Sequence, residues 1–219
     1  MIHRIVMSGR RKNMNRKKSS TQRLTLAAFF VAIEMVLTMT QLGYLPIGPI
    51  SITTMHLPVI LAGIVLGPAY GAGIGLVFGL TSVYNATFRP GLTSFCFSPF
   101  ISVGEVSGNM ASLLIAIGPR VLLGYASAVL YRWIRKKTGN TVLSASISAG
   151  VNTLVHTLAV MGLIVLFFGD AYSSAVGIPI GSIIAVVIST NGIWEILLAV
   201  IAIGALTRAL KPYLKESDV

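Results

Sequence analysis

Leu24 to Tyr44, LTLAAFFVAIEMVLTMTQLGY, is a run of about twenty mostly apolar residues directly behind a basic tail, long enough to cross a bilayer as a helix. At 100° per residue the run has two unlike sides. Ala28, Ala32, Thr25, Val36 and Met39 gather within an arc of about 80°, a small and apolar side on which another helix can come close. Glu34, Thr38 and Gln41 stack at i, i+4 and i+7 on the far side. An acid is costly in hydrocarbon, so that side must face protein or water. The expectation is that one face docks on a partner membrane protein. The other looks into the chain's own bundle, where a small polar molecule binds.

The rest of the chain fits the same solvent. Its 219 residues are 54% hydrophobic and only 11% charged, with mean hydropathy +0.83, which excludes an ordinary soluble domain. A net charge of +11 raises the question of nucleic acid, but the placement of the charge argues against it. Eight of the 17 basic residues precede residue 24, four lie in Arg132 to Lys137, and three are Arg208, Lys211 and Lys215. That is a positive-inside distribution, suited also to anionic lipid headgroups. Cys96 is alone, so neither an internal disulfide nor a multi-cysteine metal site is available. The N-terminal apolar run is too long for a signal peptide and is read as a retained anchor, with Met7 and Met14 as alternative starts.

In chain order, residues 1–23 read as a basic cytoplasmic tail, 24–210 as a single six-helix transmembrane domain, and 211–219 as a second cytoplasmic tail. After the first helix, Pro46, Gly48 and Pro49 break the pattern, and the β-prone SITT predicts an ordered outside loop. His56 to Gly67 is a short second helix that ends in a tight Gly67-Pro68 turn. Ala69 to Ala86 is the third, where Gly71, Gly75 and Gly79 form a smooth strip for close helix packing. Residues 101–118 are weakly hydrophobic and read as re-entrant or interfacial. Charge parity requires an even number of spans between the two basic clusters, which makes Pro119 to Tyr131 with its flanks the fourth helix, opened by Arg120. Thr141 to Phe168 is the fifth helix, 169–179 an outside loop, and Ile180 to Leu210 the sixth. The predicted fold is an all-α membrane protein, a six-helix bundle with both termini cytoplasmic.

Polar residues recur inside these helices. Ser148, Asn152 and His156 lie one turn apart on the fifth, and Asn191 and Glu195 repeat the spacing on the sixth beside Trp194. Together with Arg120 they form a candidate set for binding by converging hydrogen bonds, with Arg120, Arg89 or His156 meeting a carboxylate. The plainer alternative is hydrogen-bonded glue between helices, or an Arg120–Glu195 pair. His56 reads as an interfacial residue. Enzyme signatures are missing: there is no GxxxxGK[ST] phosphate loop, no HExxH, no GxSxG and no intramembrane aspartate pair. No catalytic or metal-binding residue is therefore assigned. A proton-coupled carrier using Glu34, Glu105, Glu195 and His156 is the rival reading, although no repeat relates two halves of the chain.

The run ISITTMHLPVILAGIVLGPAYGAGIGLVFGLTS, the Ala28-x-x-x-Ala32 pair and NGIWE (Asn191 to Glu195) resemble the substrate-binding S components of energy-coupling factor vitamin transporters, over most of residues 24–210. Within that superfamily the chain looks most like the pantothenate-type members, with pyridoxine and hydroxymethylpyrimidine types as alternatives. The resemblance implies a multi-pass protein of the bacterial cell membrane, with a high-affinity vitamin site near the outer face capped by the first loop. It implies a T component and two ABC ATPases as partners, which use the ATP and magnesium, so that this chain needs no cofactor. It places the partner contact at Ala28 and Ala32. It places ligand contacts at Thr53, Thr54, Arg120, Asn152, His156, Asn191 and Glu195.

Overall fold

A computed structural model of the protein describes residues 19–40, 42–47, 50–211 and 214. Gln41, most of the basic N-terminal tail and most of the C-terminal tail lie outside these residues. Among the described residues are six helices: α1 (Ser20–Thr40), α2 (His56–Leu66), α3 (Pro68–Phe88), α4 (Met110–Thr138), α5 (Thr141–Val176) and α6 (Ile180–Leu210). Of these, α1, α4, α5 and α6 are long and apolar enough to cross a membrane.

The exception in length is α2, and its shortness organises the bundle. Its 11 residues rise about 16 Å at 1.5 Å each, roughly half a hydrocarbon core. Nearly every one of them is buried, because α1, α3, α4, α5 and α6 all pack around it. Before α2, β1 (Tyr44–Ile47) and β2 (Ile50–Thr53) form an antiparallel hairpin, the ordered form taken by the β-prone SITT loop. At the far end of α2, Gly67 alone connects to α3, with φ +101°, which only glycine adopts freely, and Pro68 starts the next helix.

The glycine strip does what its spacing predicts. A Cβ on Gly71 would overlap the Gly124 carbonyl oxygen, one on Gly75 the Arg120 carbonyl, and one on Gly79 would meet the Ile117 Cα at 2.9 Å. Backbone therefore lies on backbone along α3 and α4, the most extensive helix pair in the bundle.

The region after α3 departs from expectation. Residues 101–118 are not one re-entrant or interfacial segment. A small hairpin of β3 (Ser102–Val103) and β4 (Val106–Ser107) turns at Gly104, φ +63°, and α4 begins immediately afterwards at Met110. Asn109 caps that start: its Oδ1 accepts the Ala111 N–H at 2.8 Å, and its own backbone N–H donates to the Ser112 Oγ at 3.1 Å. Pro119 thus lies inside the helix, and Arg120 stands mid-helix. Likewise 169–179 is mostly helix, since α5 continues past a break at Phe168 to Val176 before Gly177 caps it.

Two apolar cores fill the interior. The larger joins α1, α2, α3, the second half of α4, the start of α5 and the end of α6. The smaller joins Phe95 and Cys96 of the α3–α4 connection to Ile115, Val160, Met161, Ile164, Phe168 and Ile183 at the opposite end. Phe95 and Phe168 meet edge to face there, with centroids 5.6 Å apart.

Candidate functional site

Between the two cores lies a belt of polar side chains. Along α4, Arg120 falls between Ile115 of the smaller core and Leu123 of the larger. Along α5, Asn152 and His156 fall between Ala149 and Val160, and along α6, Asn191 and Glu195 between Ile183 and Ala199. Glue between helices would scatter such residues along the bundle. Here three helices place theirs at one level, next to the N-terminus of α2.

Arg120 is the most demanding member, a cation only 7% exposed. Its position follows from Pro119. A proline has no N–H, so the carbonyl four residues earlier, that of Ile115, loses its helical partner. Helical side chains lean toward the N-terminus, and the Arg120 Nη1 donates to that same Ile115 carbonyl at 2.6 Å. Two rings flank the guanidinium: Phe78 from α3, with its centroid 5.4 Å from Cζ, and Phe97 from the α3–α4 connection, at 5.2 Å. The His156 ring sits beyond Phe78, centroids 6.2 Å apart. Arg120 also lies within electrostatic reach of both His156 and Glu195.

Glu195 is buried on the first turn after a π-helical stretch, Ile188–Gly192, which inserts an extra residue into α6. Its Oε1 accepts the Thr53 backbone N–H at 2.8 Å, so the acid ties the β1–β2 hairpin to α6. Thr54 works inside the loop: its hydroxyl donates to the Leu42 carbonyl at 3.0 Å. Asn191 is half-buried within the π-helical stretch.

Asn152 divides its roles. Its Nδ2 donates to the Ser148 carbonyl at 2.8 Å and to the Ser148 Oγ at 3.2 Å, while Ser148 reaches the Ser127 carbonyl on α4 at 2.9 Å. Those amide bonds stay within α5, and the bond that joins α5 to α4 is the one from Ser148. Asn152 and His156 nevertheless line a small cleft between α4 and α5, with Pro119 and Leu123 opposite, which has room for about one water molecule. The Nε2 of His156 and that of His56 are buried, and neither meets a partner among the described residues.

The expected set is therefore partly gathered. Arg120, Asn152, His156, Asn191 and Glu195 share one level, with Thr53 attached through Glu195; Thr54 serves the loop. Arg89 stands apart, its Nη1 donating to the Thr38 carbonyl at 3.1 Å and bracing α3 on α1. Trp194 is 59% exposed on the outer surface of α6, away from any stacking role inside the bundle. Sequence reasoning missed Phe78 and Phe97, which carry no polar signal, and took His56 for an interfacial residue although it is buried beside Glu195 and Thr53. The sequence carries a signal for His56, which directly follows the loop that holds Thr53 and Thr54.

On α1 both faces appear as their periodicity requires. Glu34 and Thr38 are fully buried, and the Thr38 hydroxyl donates to the Glu34 carbonyl at 2.8 Å. Neither carboxylate oxygen of Glu34 has a partner among the described residues. Ala28, Ala32, Thr25, Val36 and Met39 are exposed.

The described residues thus form a mostly helical bundle with four helices long and apolar enough to cross a membrane and a buried polar belt at mid-bundle. The family model "ECF transporter, substrate-specific component" matches residues 22–206, and the chain belongs to that family, one of transporter components and not enzymes. It is similar to the "Pantothenic acid transporter PanT" of Lactococcus lactis subsp. cremoris, 36% identical over 197 residues that cover 89% of this chain and 96% of the relative. It is also similar to the "Pantothenate transporter PanT" of Leuconostoc mesenteroides subsp. mesenteroides, 28% identical over 212 residues, 92% of this chain and 98% of the relative.

Proposed function

We propose that this chain binds pantothenate from outside the cell and delivers it through a T component powered by two ABC ATPases. The observation that carries the reading is a buried guanidinium at the level of the polar belt, as a carboxylate ligand requires. The names of the two relatives point to the same cargo. Thr53, Arg120, Asn152, His156, Asn191 and Glu195 form the site, with Thr54 shaping the loop above it. Both termini face the cytoplasm of a bacterium, which puts the β1–β2 hairpin and the smaller apolar core on the outer side. The exposed Ala28 and Ala32 face of α1 is the surface for the T component. The chain needs no cofactor of its own, ATP and magnesium being used by the ATPases.

Isothermal titration of the detergent-purified chain with pantothenate, pyridoxine and hydroxymethylpyrimidine tests the cargo. One-to-one binding of pantothenate at a nanomolar dissociation constant is expected, corresponding to about −12 kcal/mol. Tight binding of either other compound reassigns the cargo. In vesicles, the chain alone should accumulate nothing under an imposed pH gradient, and accumulation there would favour a proton-coupled carrier.

A further inference from the structure

We propose that Pro119 is a positioning residue for ligand recognition, acting by freeing a backbone carbonyl that the Arg120 guanidinium takes in the belt. The inference rests on the reading of Arg120 as the partner of a ligand carboxylate. A proline in a helix interior removes a hydrogen bond and crowds the preceding turn, at a cost of about 3 kcal/mol or more. In α4 it stands one residue before the buried arginine, and the carbonyl it strands, that of Ile115, is the one that Arg120 Nη1 takes at 2.6 Å. The guanidinium is a rigid plane with five donors, so fixing Nη1 fixes the direction of the others. Phe78 and Phe97 lie 5.4 and 5.2 Å from Cζ and limit tilting of that plane. With any other residue at 119, its own N–H would compete for the Ile115 carbonyl. Sharing the carbonyl would weaken the bond to Nη1 and widen the range of head-group orientations, and narrowing it again would weaken ligand binding.

The test compares pantothenate with pantothenol, in which a hydroxymethyl group replaces the carboxylate, on the full-length purified chain. Pro119→Ala restores a helical hydrogen bond, so the variant is expected to fold with unchanged or higher thermal stability. Its pantothenate affinity should fall about tenfold, the scale of a weakened charge-assisted bond, while pantothenol affinity stays as in the parent. In an Arg120→Ala background, Pro119→Ala should have no further effect on pantothenate. Phe97→Leu, a second variant that leaves the backbone alone, should reproduce the selective loss in part. Independently of ligand, the Arg120 guanidinium N–H resonances, assigned by their absence in Arg120→Lys, should lose protection from exchange in Pro119→Ala. Equal losses for both ligands, an effect that persists without Arg120, or unchanged guanidinium exchange would each overturn the proposal. If Arg120→Ala leaves pantothenate binding intact, the reading of the site fails too; if it abolishes binding while Pro119→Ala changes nothing, only the positioning role fails.

Discussion

Thr53 and Glu195 stand 142 residues apart in sequence, yet the backbone N–H of the first donates to the carboxylate of the second at 2.8 Å. That bond joins the β1–β2 hairpin to the longest-range partner in the belt, so the acid fastens the loop above the candidate site. Glu195→Ala removes the acceptor and should weaken pantothenate binding about tenfold, chiefly through faster release, because a bond to a charged group contributes roughly 1.5–3 kcal/mol. Glu195→Gln keeps an acceptor and should lose less. Stopped-flow release rates decide the matter: equal rates in parent and Glu195→Ala would mean that the hairpin is held by other contacts.

Arg120→Ala should weaken pantothenate binding by more than about tenfold, on the same scale of charge-assisted hydrogen bonding. The measurement is titration calorimetry on a variant shown by its unfolding transition to be folded. An unchanged dissociation constant would move the carboxylate elsewhere in the belt.

The α1 face makes a prediction about assembly and not about binding. Ala28→Trp combined with Ala32→Trp puts two large rings on an exposed, small-residue surface. Uptake and co-purification with the T component should both be lost, with pantothenate affinity of the isolated chain retained. Loss of binding by the isolated variant would contradict the separation of the two faces.

Along α3 the glycines differ sharply. Gly75→Val places a Cβ against the Arg120 carbonyl, and overpacking of this kind costs about 1–3 kcal/mol. The midpoint of thermal unfolding in detergent should fall. Gly73 has open space around its Cβ position, so Gly73→Ala should leave that midpoint unchanged. Similar effects at both positions would mean that α3 and α4 pack differently.

Trp194→Ala separates the structure from the local spacing of NGIWE. Because the ring faces outward, ligand affinity should be unaltered within about twofold, below the 1.4 kcal/mol that a tenfold change requires. A large loss would place the indole in the site.

Much of this architecture was legible in the sequence because a bilayer enforces local rules. A backbone surrounded by lipid must satisfy its own hydrogen bonds, so apolar length marked α1, α5 and α6, while the Gly67-Pro68 turn and the glycine spacing set off α2 and α3. The same rule made Glu34 and Thr38 turn inward while Ala28 and Ala32 stayed outside. Glycine spacing foretold a close helix contact along α3, since only small residues let two backbones meet, and the structure supplies α4 as the partner. What the sequence reading missed was where α4 begins. Intrinsic preference puts a proline at a helix start, and only the folded chain shows that the carbonyl freed by Pro119 is taken up by the neighbouring arginine. Nor does local spacing distinguish Asn152, whose amide N–H is spent on Ser148, from Glu195, which reaches across the bundle to Thr53. Those assignments depend on which side chains meet after the helices have packed, and the two apolar cores that bracket the polar belt exist only in that arrangement.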